Sequence, residues 1–387
     1  MLTRFFRRAP ERKAAPMIAL SMIGAPRWGA RDFASLARTG VAQNAIAYRC
    51  VRMIAESAAS VPWLLYQDTE EIESHPLLAL LAKPNREDEG TALFERWYAY
   101  LQCAGDSYLE AVGIGAEIRE LYVLRPDRVS VVPDARGWPI AFEYKLGERI
   151  TRLARDASGF MPVLHARLFN PLDDHYGLSP LAAAATALDV HNQGAAWTKS
   201  LLDNAARPSG ALIYKGPDGA PSLTDDQFAR LKRELEDAYQ GATNAGRPMV
   251  LEGGLDWRAM SYTPADMDFS NLRNAAAREI ALAFGIPPML LGIPGDNTFS
   301  NYREANLSFW RQTVLPLVAR TAKMLTGWLG PRFGEDLRLG YDADAVDALA
   351  VERESVWDKL NAASFLTLNE KRQAAGYSPL DGGDGIA

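Results

Sequence analysis

Apolar residues recur at three- and four-residue spacing over 267–284, where Phe269, Leu272, Ala276, Ile280 and Phe284 form one stripe. Asn271, Asn274, Arg278 and Glu279 fall on the other side, so the stretch predicts an amphipathic helix with one packing face. Gly285 and Pro287-Pro288 stop it, because proline lacks a helix donor and biases the residue before it towards extended geometry. Residues 292–301 are a polar run of turn formers and predict a loop. A second helix over 302–329 then carries Leu307, Trp310, Val314, Leu317, Leu325 and Trp328. Pro316 is expected to kink it and Gly330-Pro331 to end it.

Upstream, Ile46, Cys50, Met53, Ile54 and Ala58 predict a helix over 41–59, followed by a strand over 61–66. A short helix begins at His75-Pro76 and stops at Lys83-Pro84-Asn85, and another over 91–104 turns Phe94, Trp97, Tyr98 and Leu101 inward. Short strands follow at 107–112, 117–124, 129–132, 140–146 and 161–169, separated by Gly113, Arg125-Pro126-Asp127 and Asp134 to Gly137. The fold class is therefore α+β. Ser179 stands where a helix cap belongs, with Pro180 at the first turn, and the helix can run to residue 206. At ~1.5 Å per residue it spans about 40 Å. Its alanines, Ala182 to Ala185 with Ala195 and Ala196, permit close helix approach.

Between this helix and the one at 267 lies a compact insertion. A strand at 210–215, a turn at 217–219 and a capping box of Thr224 and Gln227 lead to a helix bearing Phe228, Leu231, Leu235 and Tyr239. Two strands, 248–252 and 256–262, complete it. Beyond 330 the chain is more polar, with a helix at 351–363 and Thr367 placed to cap another through Glu370.

The 387 residues are ample for a core, and no apolar run approaches the ~18 residues of a membrane span. Cys50 and Cys103 read as core thiols of a reducing compartment, and His75, His165, His175 and His191 lack ligand spacing, so neither metal nor cofactor is expected. The closely spaced Asp342, Asp344 and Asp347 lack the glycine and glutamate of a calcium loop and read as a solvated surface. Nothing matches a phosphate-binding loop, a nucleophile elbow or a dinucleotide fingerprint, so the chain does not read as an enzyme. A formal charge of −6 argues against a protein that holds nucleic acid statically and does not by itself exclude one that nucleic acid only passes. The one basic cluster, Arg4, Arg7, Arg8, Arg12 and Lys13, predicts a flexible arm over residues 1–40 rather than a secretory signal, since Pro16 and Pro26 bracket the apolar patch behind it.

The ordered set "IALAFGIPPMLLG" at 280–292, "NTFSNYREAN" at 297–306 and "VLPLV" at 314–318 resembles the portal proteins of tailed bacteriophages of the HK97 type. "HPLLALLAKPN" at 75–85, "GDSY" at 105–108, "LRPDRVSVV" at 124–132 and "FLTLNEKRQAAGYSPLDGGD" at 365–384 match the same family in the same order. The resemblance covers most of 41–384 and is nearest to the portals of gene transfer agents, domesticated phage particles. It implies a wing over 41–178, a stem helix over 179–208, a small α/β clip over 209–263 and a second stem helix over 264–291. A tunnel loop over 292–301, a long kinked helix over 302–330 and a short helical crown over 331–387 complete the implied plan.

Further expectations follow from that resemblance. Subunits would form a ring, usually twelve-fold, at one capsid vertex of a virion, after assembly in the host cytoplasm. Partners would be further copies of the chain, the terminase large subunit, the major capsid protein, a head–tail connector and the double-stranded DNA passing through; no membrane is implied. Asp296, Asn297, Thr298, Phe299, Ser300 and Asn301 would meet the DNA, while Asp225, Asp226, Arg230 and Arg233 on the clip helix would meet partners. A head–tail connector ring is the competing reading, and an enzyme of another family a more distant one.

Overall fold

The computed structural model describes residues 33–68, 70–115, 117–203, 210–214, 226, 229–230, 233, 255–259, 269–295, 299–377 and 379–385. Residues 1–32 of the expected arm, the Thr224 and Gln227 pair and the strand at 248–252 lie outside them. Chain order begins with α1 (Phe33–Leu36), which continues as π-helix over Ala37–Ala42. Leu36 and Gly40 are buried there, and a Cβ on Gly40 would stand 2.9 Å from Leu181 Cδ2. The arm expected to reach residue 40 is thus cut short: its end is helical, with Leu36 buried and Gly40 packed against Leu181.

In α2 (Ala45–Ala59) the buried positions Ala47, Cys50, Val51, Ile54 and Ala58 keep helical spacing. Then come β1 (Trp63–Gln67), β2 (Glu70–Glu71), α3 (Pro76–Ala82) and α4 (Gly90–Ala104). His75 Nδ1 accepts the Leu77 N–H at 3.2 Å and caps α3, so this histidine has a structural task. Leu93, Phe94, Trp97, Tyr98 and Leu101 of α4 are all buried, as their spacing predicts. Gly105, with φ of +80°, ends α4 in the left-handed conformation that favours glycine.

Six strands follow: β3 (Asp106–Ile114), β4 (Glu117–Leu124), β5 (Val129–Pro133), β6 (Pro139–Leu146), β7 (Arg149–Ala154) and β8 (Val163–Arg167). They make two antiparallel sheets, ordered β4-β3-β8 and β5-β6-β7. A common cluster of Tyr108, Leu124, Val129, Phe142 and Val163 joins them. β7 has no counterpart in the sequence reading, because five of its six residues are exposed and carry no alternation.

The turn into the following helices is anchored deep in the wing. Asp106 is buried, receives the Gly177 N–H on both carboxyl oxygens at 3.0 Å, and lies 2.7 Å from His165 Nε2. A Cβ on Gly177 would meet Gly105 O at 2.0 Å, so the two backbones touch where side chains cannot fit. Ser179 then caps α5 (Pro180–Ala183) through the Ala182 N–H at 3.0 Å, and Ala184 alone separates it from α6 (Ala185–Asp203).

Within the insertion, β9 (Gly210–Tyr214) pairs antiparallel with β10 (Leu255–Ala259), and residues 226, 229–230 and 233 are helical. The chain returns through α7 (Phe269–Ala283) to α8 (Phe299–Phe309), a π turn at Trp310–Val314 and α9 (Leu315–Phe333). The irregularity expected at Pro316 is a π turn just before it, where the Leu315 N–H reaches Trp310 O, leaving the proline in the first turn of α9 where no donor is required. Pro331 does not end α9. The carbonyl it leaves without an N–H is that of Gly327, which faces solvent.

β11 (Leu337–Tyr341) lies inside the stretch assigned to the crown but pairs antiparallel with β1, Leu65 opposite Leu339. That stretch is therefore not one body apart from the wing: Leu337 and Leu339 are buried in its core, their alternation too short to stand out in a polar region. The chain closes with α10 (Ala350–Ala362) and α11 (Leu368–Ala374). The reciprocal Thr367 and Glu370 cap on α11 is present, at 3.2 and 2.7 Å.

Candidate functional site

Ala276, Ala277, Ile280, Ala281 and Phe284 bury one face of α7, while α6 packs along it on the way out to the insertion. A Cβ on Gly194 would stand 3.0 Å from Arg273 Cγ, so the missing side chain lets the arginine stem lie across α6. Leu272 departs from the expected stripe and is 46% exposed, because alanines at 276 and 277 already bring the buried face close to its neighbours.

The foot of α6 is tied to the wing by a polar network. Asn44 Oδ1 accepts the Ile46 and Ala47 N–H groups at 3.1 Å, which turns its amide nitrogen towards α6. That nitrogen donates to Asn192 Oδ1 at 2.9 Å and lies 3.1 Å from His191 Nδ1, which must accept. Asn192 in turn donates to Thr39 O at 2.9 Å. Burial, and then the Arg273 guanidinium, push the His191 imidazole below its ordinary range, which keeps Nδ1 free to accept.

At its other end α7 stops in three hydrogen bonds. Phe284 N–H reaches Ile280 O, Gly285 N–H reaches Leu282 O, and Ile286 N–H reaches Ala281 O, with Gly285 at φ +67°. The double proline leads into a single 3₁₀ turn, Pro288–Leu291, closed by Gly292 at φ +70°. Ile293 then buries itself on Ala277 and Ala281, and the Arg278 guanidinium donates to Pro294 O. Across the break, Thr313 Oγ1 donates to Gly285 O at 2.6 Å, joining the π turn to the end of α7. The root of the expected loop is thus held by one apolar plug and two side-chain bonds. None was read from the sequence, although Ile293 between Gly292 and Gly295 and Arg278 about two helical turns before Gly285 are the signals that mark them.

Of the residues expected in the loop, Asp296, Asn297 and Thr298 lie outside the described residues. Phe299, Ser300 and Asn301 are not in a loop: they form the first turn of α8, and Asn301 is exposed. Polarity over 301–304 marks a solvent-facing helix turn, not a departure from helix. Arg303 and Glu304, 61% and 63% exposed and 4.0 Å apart, set opposite charges side by side next to the loop. On the clip, Asp225 lies outside the described residues, whereas Asp226, Arg230 and Arg233 are helical and exposed, with Arg233 Nε donating to Ala229 O. The structure does not bring the clip group and the loop group together among the described residues.

No group of residues that could hold a metal ion occurs among the described residues, and no described helix is long and apolar enough to cross a membrane. Burial drives the Cys50 and Cys103 thiols up to about 12, which leaves them unreactive.

The model of the phage portal protein family matches residues 45–376. The chain is 51% identical, with a TM-score of 0.72, to a chain in the neck of an empty gene transfer agent (GTA) particle computed with C6 symmetry, covering 92% of this chain and 96% of that one. It is 50% identical, with a TM-score of 0.69 and the same coverage, to one in the neck of a native GTA particle computed with C12 symmetry. The portal protein of Enterobacteria phage HK97 is 23% identical over 89% of this chain and 81% of its own length. The chain belongs to the phage portal protein family. It has the portal fold, and a role in DNA packaging at the capsid vertex follows from that membership.

The Asn44 network should make the junction of α2 and α6 sensitive to acid. A histidine depressed in the folded protein contributes stability that is complete above its ordinary value of about 6.5 and is lost as the pH falls through that value, because the unfolded chain takes up the proton first. Wild type should therefore lose more melting temperature between pH 7.5 and 5.5 than His191→Gln, which cannot titrate. Equal losses in parallel thermal melts would show that the network does not carry this dependence.

Proposed function

We propose that twelve copies of this chain form the portal ring of a gene-transfer-agent-type particle, through which DNA enters and leaves. The observation that carries this reading is the loop between α7 and α8, whose root is fixed by Ile293, Arg278 and Thr313 while its sequence offers amides and hydroxyls. A fixed root keeps such loops in register around a closed ring, and the C12 neck that this chain resembles supports the count. Electron micrographs of the purified full chain should show rings with a central hole. A stable monomer by native mass measurement, in every salt tried, would overturn the reading.

Duplex DNA carries one charge per about 1.7 Å, so a ring of cationic loops would gain many phosphate contacts at once and hold DNA against the motor. The neutral polar residues Asn297, Thr298, Ser300 and Asn301 instead exchange weak contacts one at a time. Introducing Asn297→Lys, Ser300→Lys and Asn301→Lys together should leave ring formation intact and slow DNA passage, most strongly in low salt. Packaging at the wild-type rate under those conditions would remove the loop and the first turn of α8 from the channel wall.

The clip helix is proposed to dock the terminase large subunit during filling and a head–tail connector afterwards, with the major capsid protein surrounding the ring. Its exposed Asp226, Arg230 and Arg233, together with Asp225, supply the polar contacts. Charge reversal at these four positions should abolish capture of terminase in a pull-down while ring shape persists; undiminished capture would move the docking face elsewhere.

A further inference from the structure

The segment joining β8 to α5 has a defined shape. Leu168 N–H bonds Gly105 O at 2.7 Å, Asn170 Nδ2 bonds Tyr176 O at 2.9 Å, and Asn170 Oδ1 accepts the Leu172 N–H at 3.0 Å. Asp173 Oδ1 accepts the His175 and Tyr176 N–H groups at 2.7 and 3.0 Å, and Tyr176 Oη accepts the Val131 N–H at 3.0 Å. This pinned loop nevertheless holds two large apolar side chains in solvent: Phe169 is 83% exposed and Leu172 is 91% exposed. One fixed frame thus presents both apolar groups, three residues apart, to whatever lies beside it.

A cavity of about 570 Å³ opens where α2, β1, α3 and the first turn of α4 meet. Pro62, Trp63, Leu78, Leu81, Thr91 and Phe94 line it, with the Trp63 and Phe94 rings edge to face at 5.1 Å. Cavity and loop stand at opposite ends of one helix. Thr91 opens α4 and Gly105, bonded to Leu168, closes it, so a rise of ~1.5 Å per residue puts them about 20 Å apart. The loop of one chain cannot fill the cavity of that same chain.

We propose that Phe169 and Leu172 insert into this cavity on the neighbouring copy of the chain. A knob at one end of a rigid helix and its socket at the other give each subunit one contact to offer and one to receive. Such a head-to-tail interface closes into a ring when its rotation divides a full turn. The occupant is a second copy because the proposal rests on the ring reading above, and a closed ring requires two different, mutually complementary surfaces on every subunit. Trp63 and Phe94 are the aromatic walls expected at the energetic centre of such a contact.

The test uses the full chain. Leu172→Cys combined with Thr91→Cys, treated with a short bismaleimide, should yield covalent dimers, trimers and larger species up to ring size; the native Cys50 and Cys103 are buried and do not compete. Phe169→Asp with Leu172→Asp should keep the wild-type far-ultraviolet dichroism, since both positions are exposed, while raising the concentration needed for assembly by about 100-fold or more. If wild-type rings form but no interchain product appears and the double aspartate variant assembles at the wild-type concentration, the knob serves some other partner and the proposal is overturned, with the ring reading intact. If the unsubstituted chain forms no ring at all, the ring reading fails and takes this interface with it.

Discussion

Burying the Asp106 carboxyl group is possible only because both its oxygens meet a backbone N–H from Gly177 and one of them meets His165. A buried polar group without such partners would cost several kcal/mol. Three distant segments must therefore arrive together: the end of α4 at Gly105, the strand bearing His165 and the loop before Ser179. The absence of side chains at 105 and 177 lets the backbones close to contact distance. From that point the direction of α5 and α6 is set by the cap at Ser179, and the geometry of the Phe169 loop follows from its bond to Gly105. The wing thus aims the helices that carry the insertion.

The same logic recurs at the far end of α7, where the break has to leave few backbone groups unpaired. Gly285 and Gly292 take up left-handed conformations, the 3₁₀ turn supplies local bonds, and Thr313 covers the carbonyl of Gly285. The π turn across from it relieves the missing donor of Pro316. Two helix irregularities that would each weaken an isolated helix are placed against one another, and the loop between them is held at its root. Fixed ends with a polar span that carries a single acid, Asp296, are what the proposed channel role asks of this loop.

Charge follows the same division of labour. The net charge is −6 for the whole chain, and beside the loop Arg303 and Glu304 set opposite charges next to one another. A balanced pair suits the proposed channel better than a basic patch, which would grip nucleic acid. Stability comes instead from the shared core of α2, α4 and α9, into which β1 and β11 bring Leu65, Leu337 and Leu339.

Local chemistry made much of this legible in the sequence. The Ser179 and Thr367 caps, the glycine end of α4, the inward face of Phe94, Trp97, Tyr98 and Leu101, and the stop after Phe284 each depend on neighbours a few residues away. Family resemblance likewise rested on ordered local motifs. What tertiary structure alone decided involves partners far apart in sequence: β11 beside β1, Asp106 beneath Gly177, Asn44 against His191, Thr313 on Gly285 and the burial of Leu36. Phe299 to Asn301 show why the candidate site was only partly readable. Polar residues suit a loop and an exposed helix turn equally well, and only the packing of the chain on either side chooses between them.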